Sequence, residues 1–333
     1  MLMSNSQLSA AEMGKLWASY MGNSMGKCVL SYYLKHVDDQ DIKAILEFAL
    51  NLSTTFAQRI EDIFNQAEFP VPIGYTEDDV NLEAPRLFHD QFYLHYLDYL
   101  GKAGMSIYSI AIPLVTRKDI RDFFIDCLRE TVILMSGVNE LLKAKGVIMN
   151  PPPIPTPKKV EYIQKQSFLN GYFGDLRALH GLEIAHLYGN LNNDITSKAL
   201  IIGFTQGAQL EKVRKYLERG KKLNQKHIEI MTKKLTDNNL PAPSLLDHLV
   251  TTSTITPFSD KLKVAHKIDM FAMKIREYAN GASLNGRRDL GVMYAKCQMD
   301  VSLYVEDGAN IMIEHEWFER PPESVDRNHL NGS

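Results

Sequence analysis

Cysteine is scarce: Cys28, Cys127 and Cys297 are the only three in 333 residues, an odd number that cannot all pair. Each sits among apolar neighbours, which reads as reduced core thiols of a cytosolic protein. No Cys-x-x-Cys occurs, so zinc-ribbon and thioredoxin-type sites are not suggested. Long apolar runs are missing too. The longest, residues 107–115, is broken by Tyr108, Ser109 and Pro113, well short of the roughly 18 residues a membrane helix needs, so no membrane insertion is expected. Residues 1–11 have no basic start and no apolar stretch, and are not expected to be a signal peptide. A net charge of −3 gives no global reason to bind nucleic acid, and no nucleic-acid partner is expected. Gly-x-Gly-x-x-Gly, Gly-x-x-x-x-Gly-Lys-[Ser/Thr] and Gly-x-Ser-x-Gly are all absent, which removes the common phosphate loops and the nucleophile elbow.

What is present is order at long range. The chain is 45% hydrophobic and 23% charged, normal for a soluble globular protein, and long enough for two ordinary domains. It also repeats itself. Arg117-Lys-Asp-Ile120, Cys127 and Glu130 recur 170 residues later as Arg287-Arg-Asp-Leu290, Cys297 and Asp300. Pro70-x-Pro72 recurs as Pro241-x-Pro243, His95 and Asp98 as His266 and Asp269, and Glu12 as Glu183, each at an offset of 171. The marks keep the same order, and the offset drifts by one residue. An internal duplication is therefore expected, and a period of this kind decides the fold. The seam is Asn150-Pro-Pro-Pro-Ile-Pro-Thr-Pro157, where prolines lack the N–H donor and restrict their predecessors. The expected division is a first unit over 1–150, a stiff linker over 151–157 and a second unit over 158–333.

Within each unit the apolar spacing is helical. Ile42, Ile45, Leu46, Ala49, Leu52, Phe56, Ile60, Ile63 and Phe64 step by three and four, as do Leu290, Met293, Tyr294, Cys297, Val301, Tyr304 and Val305. Stripes this wide face a bundle core. The pattern predicts helices near 8–36, 40–66, 86–111, 117–146, 176–204, 208–237, 258–281 and 287–316, with Gly281, Asn285 and Gly286 in the turn before the last. Short turns join the outer pairs, and a connection of about 20 residues joins the middle two, long for a bundle. The expected fold class is all-α: two tandem ferritin-like four-helix bundles.

Several runs carry a resemblance to a known family. They are Glu12-Met-Gly-Lys-Leu-Trp17-Ala-Ser-Tyr20, Pro70-Val-Pro72 before Asp78-Asp79-Val80, Pro257-Phe-Ser-Asp-Lys-Leu262, Arg287-Arg-Asp-Leu290 and Trp317-Phe-Glu-Arg-Pro321-Pro322. Over nearly its whole length the chain resembles a family of spore-forming bacilli built as two ferritin-like four-helix bundles in tandem. The resemblance implies that fold, and kinship with ferritin-like proteins that include spore-coat components. It implies no activity and supplies no catalytic residues.

Ferritin-like bundles often hold two metal ions with a Glu from each of two helices and a Glu-x-x-His from each of the other two. Only one Glu-x-x-His is present, Glu183-Ile-Ala-His186. With His227, His266, Asp269 and Asp300 it makes the candidate metal set of the second unit, for iron, manganese or zinc. His266 falls near the wrong end if the third helix of that unit runs parallel to the second. The first unit keeps Glu12, His95, Asp98 and Glu130 but has Lys15 and Phe56 where His186 and His227 stand, and is read as metal-free. The competing reading is that the recurring His/Asp pairs satisfy buried hydrogen bonds.

The remaining features read as structural. The basic run from Lys212 to Lys234 is interrupted by Glu211, Glu218 and Glu229 and reads as a solvated helix face. Phe92, Tyr93, Tyr96 and Tyr99 read as packing residues, Glu314 to Phe318 as surface and packing, and residues 323–333 as a frayed tail. Three functions follow. The first is a non-enzymatic structural or interaction protein, cytoplasmic or spore-associated, with a protein partner or self-association. The second is a metalloprotein with its site in the second unit. The third is a helical module that binds a small apolar ligand between the halves.

Overall fold

The structure is a computed structural model that describes residues 7–172, 176–284, 286–325 and 327. Residues 1–6, Asn285 of the expected turn and residues 328–333 of the expected tail lie outside the described residues. The chain is all-helical. Its α-helices are α1 Ala10–His36, α2 Gln40–Gln66, α3 Asp90–Ala111, α4 Lys118–Ala144, α5 Gly181–Gln206, α6 Glu211–Thr236, α7 Asp260–Leu284 and α8 Arg288–Glu314. Among the described residues, strand-like pairing is limited to two isolated bridges. Cys28, Cys127 and Cys297 are free and buried.

Local chemistry starts the helices. Ser9 caps α1 by accepting from the Glu12 amide at 3.3 Å while Glu12 accepts from the Ser9 amide at 2.8 Å. Asp39 caps α2 through the Asp41 and Ile42 amides. His180 does the same for α5, with Nδ1 accepting from the Glu183 amide at 3.4 Å.

Four helices pack together in each half, and side-chain contacts fix their directions. Tyr20 of α1 donates to Glu61 near the end of α2 at 3.0 Å. Near the other end of α1, Tyr33 stacks on Tyr93 early in α3, with ring centroids 4.5 Å apart. Asn23, at the middle of α1, donates to Tyr108 late in α3 at 3.3 Å. Arg59 of α2 pairs with Asp126 of α4 at 3.2 Å, and Lys145 after α4 reaches Asp39 before α2 at 2.6 Å. Hence α1 opposes α2, α2 and α3 run parallel, and α4 opposes both. The second half repeats this order. Tyr278 late in α7 donates to Asp194 in the middle of α5 at 2.9 Å, and Lys263 early in α7 reaches the carbonyl of Gly207 after α5 at 2.8 Å.

The two long connections satisfy each other. Val80 bridges Phe258 and Phe88 bridges Val250, both antiparallel, and each pair is the other's image under an offset of 170. The amides of Asn81 and Thr251 donate to the carbonyls of Pro257 and Leu87, and those of Ser259 and His89 to Asp79 and Leu249, all at 2.7–3.0 Å. An irregular segment buried between helices must place its backbone donors and acceptors somewhere. Here each connection is the partner of the other. The tail adds a tie, because Glu319 accepts from the amides of Ile73 at 3.0 Å and Gly74 at 2.6 Å.

One buried carboxylate ties helix starts together in each half. Glu12 accepts from the amides of Thr116 and Arg117 at 3.1 and 2.8 Å. Glu183 accepts from the Arg287 amide at 3.0 Å and from both terminal nitrogens of Arg177 at 2.7 and 2.8 Å. Each thus ties the start of the first helix of its half to the start of the last. Burial alone would raise both pKa values, but these hydrogen bonds outweigh it and hold both below the usual glutamate range. A depressed carboxylate contributes stability above its unfolded pKa, which is lost as the pH falls through its folded one. Glu183→Gln should cost about 2–4 kcal/mol at neutral pH, since it strands the guanidinium of Arg177. Urea unfolding at pH 7 and below pH 4 checks this: the penalty should shrink at the lower pH.

Candidate functional site

The six candidate metal ligands do not converge. Glu183 is the helix tie just described and is fully buried. His186, one turn along α5, is half-buried. His227 and Asp300 do meet, Nε2 to Oδ2 at 3.4 Å, and Asp300 also pairs with Lys226 at 2.6 Å. His266 lies early in α7, at the other end of the half from Tyr278, as a parallel α6 and α7 require. Its Nε2 is hydrogen-bonded at 2.7 Å to the hydroxyl of Tyr96, in the first half. Asp269 faces the same interface. Among the described residues no three His, Cys, Asp or Glu side chains gather closely enough to hold one metal ion.

The expected match of His95 with His266 is off by one residue. α3 starts at Asp90 and α7 at Asp260, so His266 corresponds to Tyr96, the residue it touches. Arg276 and Ser106, also 170 apart, meet in the same way, Nε to Oγ at 3.3 Å. The His/Asp pairs therefore do not serve one another. His266 bonds Tyr96, and Asp98 pairs with Lys102 at 2.6 Å.

A different polar cluster occupies the middle of the second half, and all four helices contribute to it. Asp194 of α5 pairs with Lys274 of α7 at 2.6 Å and accepts from Tyr278 at 2.9 Å. Lys274 also donates to Asn224 of α6, whose amide donates to Ser197 at 3.1 Å. His227 holds the Tyr278 hydroxyl through Nδ1 at 3.0 Å and faces Asp300 of α8 through Nε2. Asp194, Asn224, His227 and Lys274 are all buried. Burial is the main force lowering the pKa values of His227 and Lys274, and Asp194 opposes it for both. Lys267, two turns earlier on α7, donates to the Ser197 hydroxyl at 2.8 Å and to the Met270 sulfur at 3.1 Å. Burial drives its pKa far down, the nearby charge of Lys274 adds to this and Asp194 opposes it.

At the same level the first half has the opposite character. Asn23 stands in place of Asp194, Gly26 of Ser197, Ser53 of Asn224, Phe56 of His227 and Gly104 of Lys274; Tyr108 keeps the role of Tyr278. Small residues at three of these positions leave a void. A cavity of about 380 Å³ opens there, lined by these residues and extending to Tyr96, His266, Asp269, Met273 and Arg276 at the α3–α7 contact. Only His227 and Asp300 of the expected set belong to the central cluster. Lysines drop out of a search for metal ligands, so Lys274 was passed over. Its signal in the sequence is the spacing of Asn224-x-x-His227 on α6 and Cys297-x-x-Asp300 on α8, each one helical turn.

The basic stretch of α6 is paired, with Arg219 on Asp307 at 2.6 Å and Lys234 on Asp289 at 2.6 Å, as a solvated helix face requires. The α3 aromatics pack in the core, Phe92 stacking on Phe88 at 4.2 Å.

The profile of a family described as "Protein of unknown function (DUF3231)" matches the chain twice, over residues 1–160 and 167–330. No curated protein shows significant similarity. Among solved structures, one similar chain is a "putative spore coat protein" from Bacillus halodurans C-125, whose crystal structure was determined at 1.54 Å. It shares 16% identity at a TM-score of 0.40, over 45% of this chain and 98% of that one.

Lys274→Met leaves Asp194 buried without its cation and should cost about 3–5 kcal/mol. Adding Asp194→Asn, the residue type at the matching position of the first half, should recover most of that loss. Chemical denaturation of the single and double variants measures both. Equal penalties would mean that the pair is not coupled.

Proposed function

The chain belongs to that family, and on this premise we propose that it is a non-enzymatic structural or interaction protein made of two ferritin-like four-helix bundles. In this reading one bundle spans residues 1–150, the second spans 158–333, and the two arose by duplication. The twofold match of one family profile, the common helix order and the pairing of the two long connections at positions 170 apart support it. So does the helix direction within each half: first up, second and third down, fourth up, with the long crossing in the middle.

One observation carries the functional part of the proposal. In the second bundle three helices, α5, α6 and α8, supply Asp194, Asn224, His227 and Asp300, one or two polar groups each, in the manner of a bundle that holds metal. The α7 position facing them is Lys274, and its ammonium lies 2.6 Å from Asp194. A fixed cation already neutralises the carboxylate, and a divalent ion there would be repelled by it. The donor set therefore suits a structural ion pair better than iron, manganese or zinc. The first bundle lacks the imidazole at the position of His227, with Phe56 in its place. A scaffold that binds other molecules fits this chemistry; redox turnover does not. Action at the spore, the place implied by the sequence resemblance, is part of the proposal.

Elemental analysis of untagged protein purified without chelator tests the central point. The expected result is far less than one iron, manganese or zinc per chain, unchanged by Glu183→Ala with His186→Ala. Near-stoichiometric metal that disappears in the double variant would overturn the scaffold reading in favour of a metalloprotein. Immunoblots of vegetative cells and purified spores test the place of action, with enrichment in spores or sporulating cells expected.

A further inference from the structure

We propose that the cavity between the halves is a binding site for a small monocarboxylate with an apolar tail. The site is separate from the metal question, so either reading can fail alone. At about 380 Å³ the space lies within the range of roughly 300–1,000 Å³ typical of small-molecule sites. Its inner walls are apolar: Met25, Leu52, Phe56, Leu100, Ile107 and Leu134. A void of this kind is poorly filled by water, which needs two to four polar partners per molecule, but it accepts a hydrocarbon chain.

Polar groups of α1 and α7 line the space, and two of them carry buried atoms without a partner. His266 is 3% exposed and lines the cavity, and its Nδ1 has no hydrogen-bond partner while Nε2 is engaged by Tyr96. Ser19, 2% exposed, also lines the cavity with its hydroxyl unsatisfied. Buried polar atoms are normally satisfied, so two orphans lining one cavity mark where a ligand's own polar atoms belong. Among the described residues Arg276 has no carboxylate within ion-pair distance; its Nε touches only the Ser106 hydroxyl, and the guanidinium lines the space. Lys15 lines it as well.

These groups select the head. Two cations without carboxylate partners favour an anion, and a guanidinium matches the two oxygens of a carboxylate. Asp269 is the one acidic group at the site. It is exposed where it opens onto the cavity, and loss of water around it pushes its carboxyl up to about 6. It therefore takes a proton more readily than an ordinary aspartate, and decanoate should bind more tightly at pH 5 than at pH 8 as that charge is removed. An alkyl amine would face Arg276 and Lys15 with a like charge.

The glycines of α1 supply a clean variant. A side chain at Gly22, which lines the cavity, would meet no atom within 4 Å of its first carbon, so Gly22→Leu extends into the void without touching the backbone. Replacing a helical glycine also favours the helix. The experiment is calorimetric titration of the full-length protein, stripped of bound lipid, with decanoate, decylamine and methyl decanoate.

One decanoate should bind per chain, with the amine and the ester each at least about tenfold weaker. Arg276→Gln should weaken decanoate by about 10- to 100-fold and remove its advantage over the ester. Gly22→Leu should abolish binding with Tm unchanged or raised; if it does not fold, Ser53→Leu fills the same space from α2. The proposal is overturned if decanoate does not bind, if decylamine binds as tightly, or if neither filling variant reduces binding.

Discussion

Everything else in this molecule rests on one constraint: each half contains a connection of some twenty residues that helices cannot satisfy. A four-helix unit with its two middle helices parallel must send the chain back along its whole length. That return stretch carries backbone donors and acceptors into a partly buried place. Here two such stretches lie antiparallel and exchange four hydrogen bonds, flanked by the bridges Val80 to Phe258 and Phe88 to Val250. The arrangement explains why the halves meet where they do. It brings α3 against α7, so that Tyr96 faces His266 and Ser106 faces Arg276, and the wall of the cavity follows from that contact.

The two halves then diverge at their centres while keeping the same frame. The frame is held by like interactions in both: the Glu12 and Glu183 ties, the Tyr108 and Tyr278 hydroxyls, and free cysteines at 127 and 297. The centres differ by only a few side chains. Lys274 against Gly104 and Asn224 against Ser53 exchange a filled, charged interior for an open, apolar one. Neither solution is free of cost. A buried lysine and aspartate must be desolvated, and an empty cavity loses dispersion contacts along its walls. The first cost is offset by the ion pair and its hydrogen bonds. The second is offset only when something occupies the space.

Much of the frame was legible in the sequence, because it is written in periods. The eight helices follow from apolar spacing, and their observed ends differ by a few residues, mostly where α3 and α5 start later than the stripe suggests. Repetition of the Arg-x-Asp and Pro-x-Pro marks was legible for the same reason. The centres were not. A metal-ligand search reads His, Asp and Glu by type and spacing, and it selected Glu183 because of the adjacent His186. In the fold Glu183 is the third residue of its helix, where a carboxylate serves the helix start. His266 and Asp269 were drawn into the set by a one-residue misalignment with His95 and Asp98. That shift lies in the irregular stretch between Pro72 and Val80, where no period exists to reveal it. Lys274 escaped because its meaning depends on three other helices.

On the ferritin-like reading, these features have a common origin. A bundle that once aimed carboxylates and imidazoles at its axis has a polar hole there, and the hole must be neutralised or removed. Supplying an ammonium from α7 neutralises it without any outside ligand, which is the state of the second half, where Lys274 and Asp194 lie 2.6 Å apart. Trimming the polar groups to Asn23, Ser53 and Gly104 removes the charge but leaves volume, which is the state of the first. The cavity then opens toward His266, Asp269 and Arg276 of the other half, beside Lys15 and Ser19 of its own. On that reading the proposed site takes its apolar walls from the half with small residues at its centre, and part of its polar rim from the other.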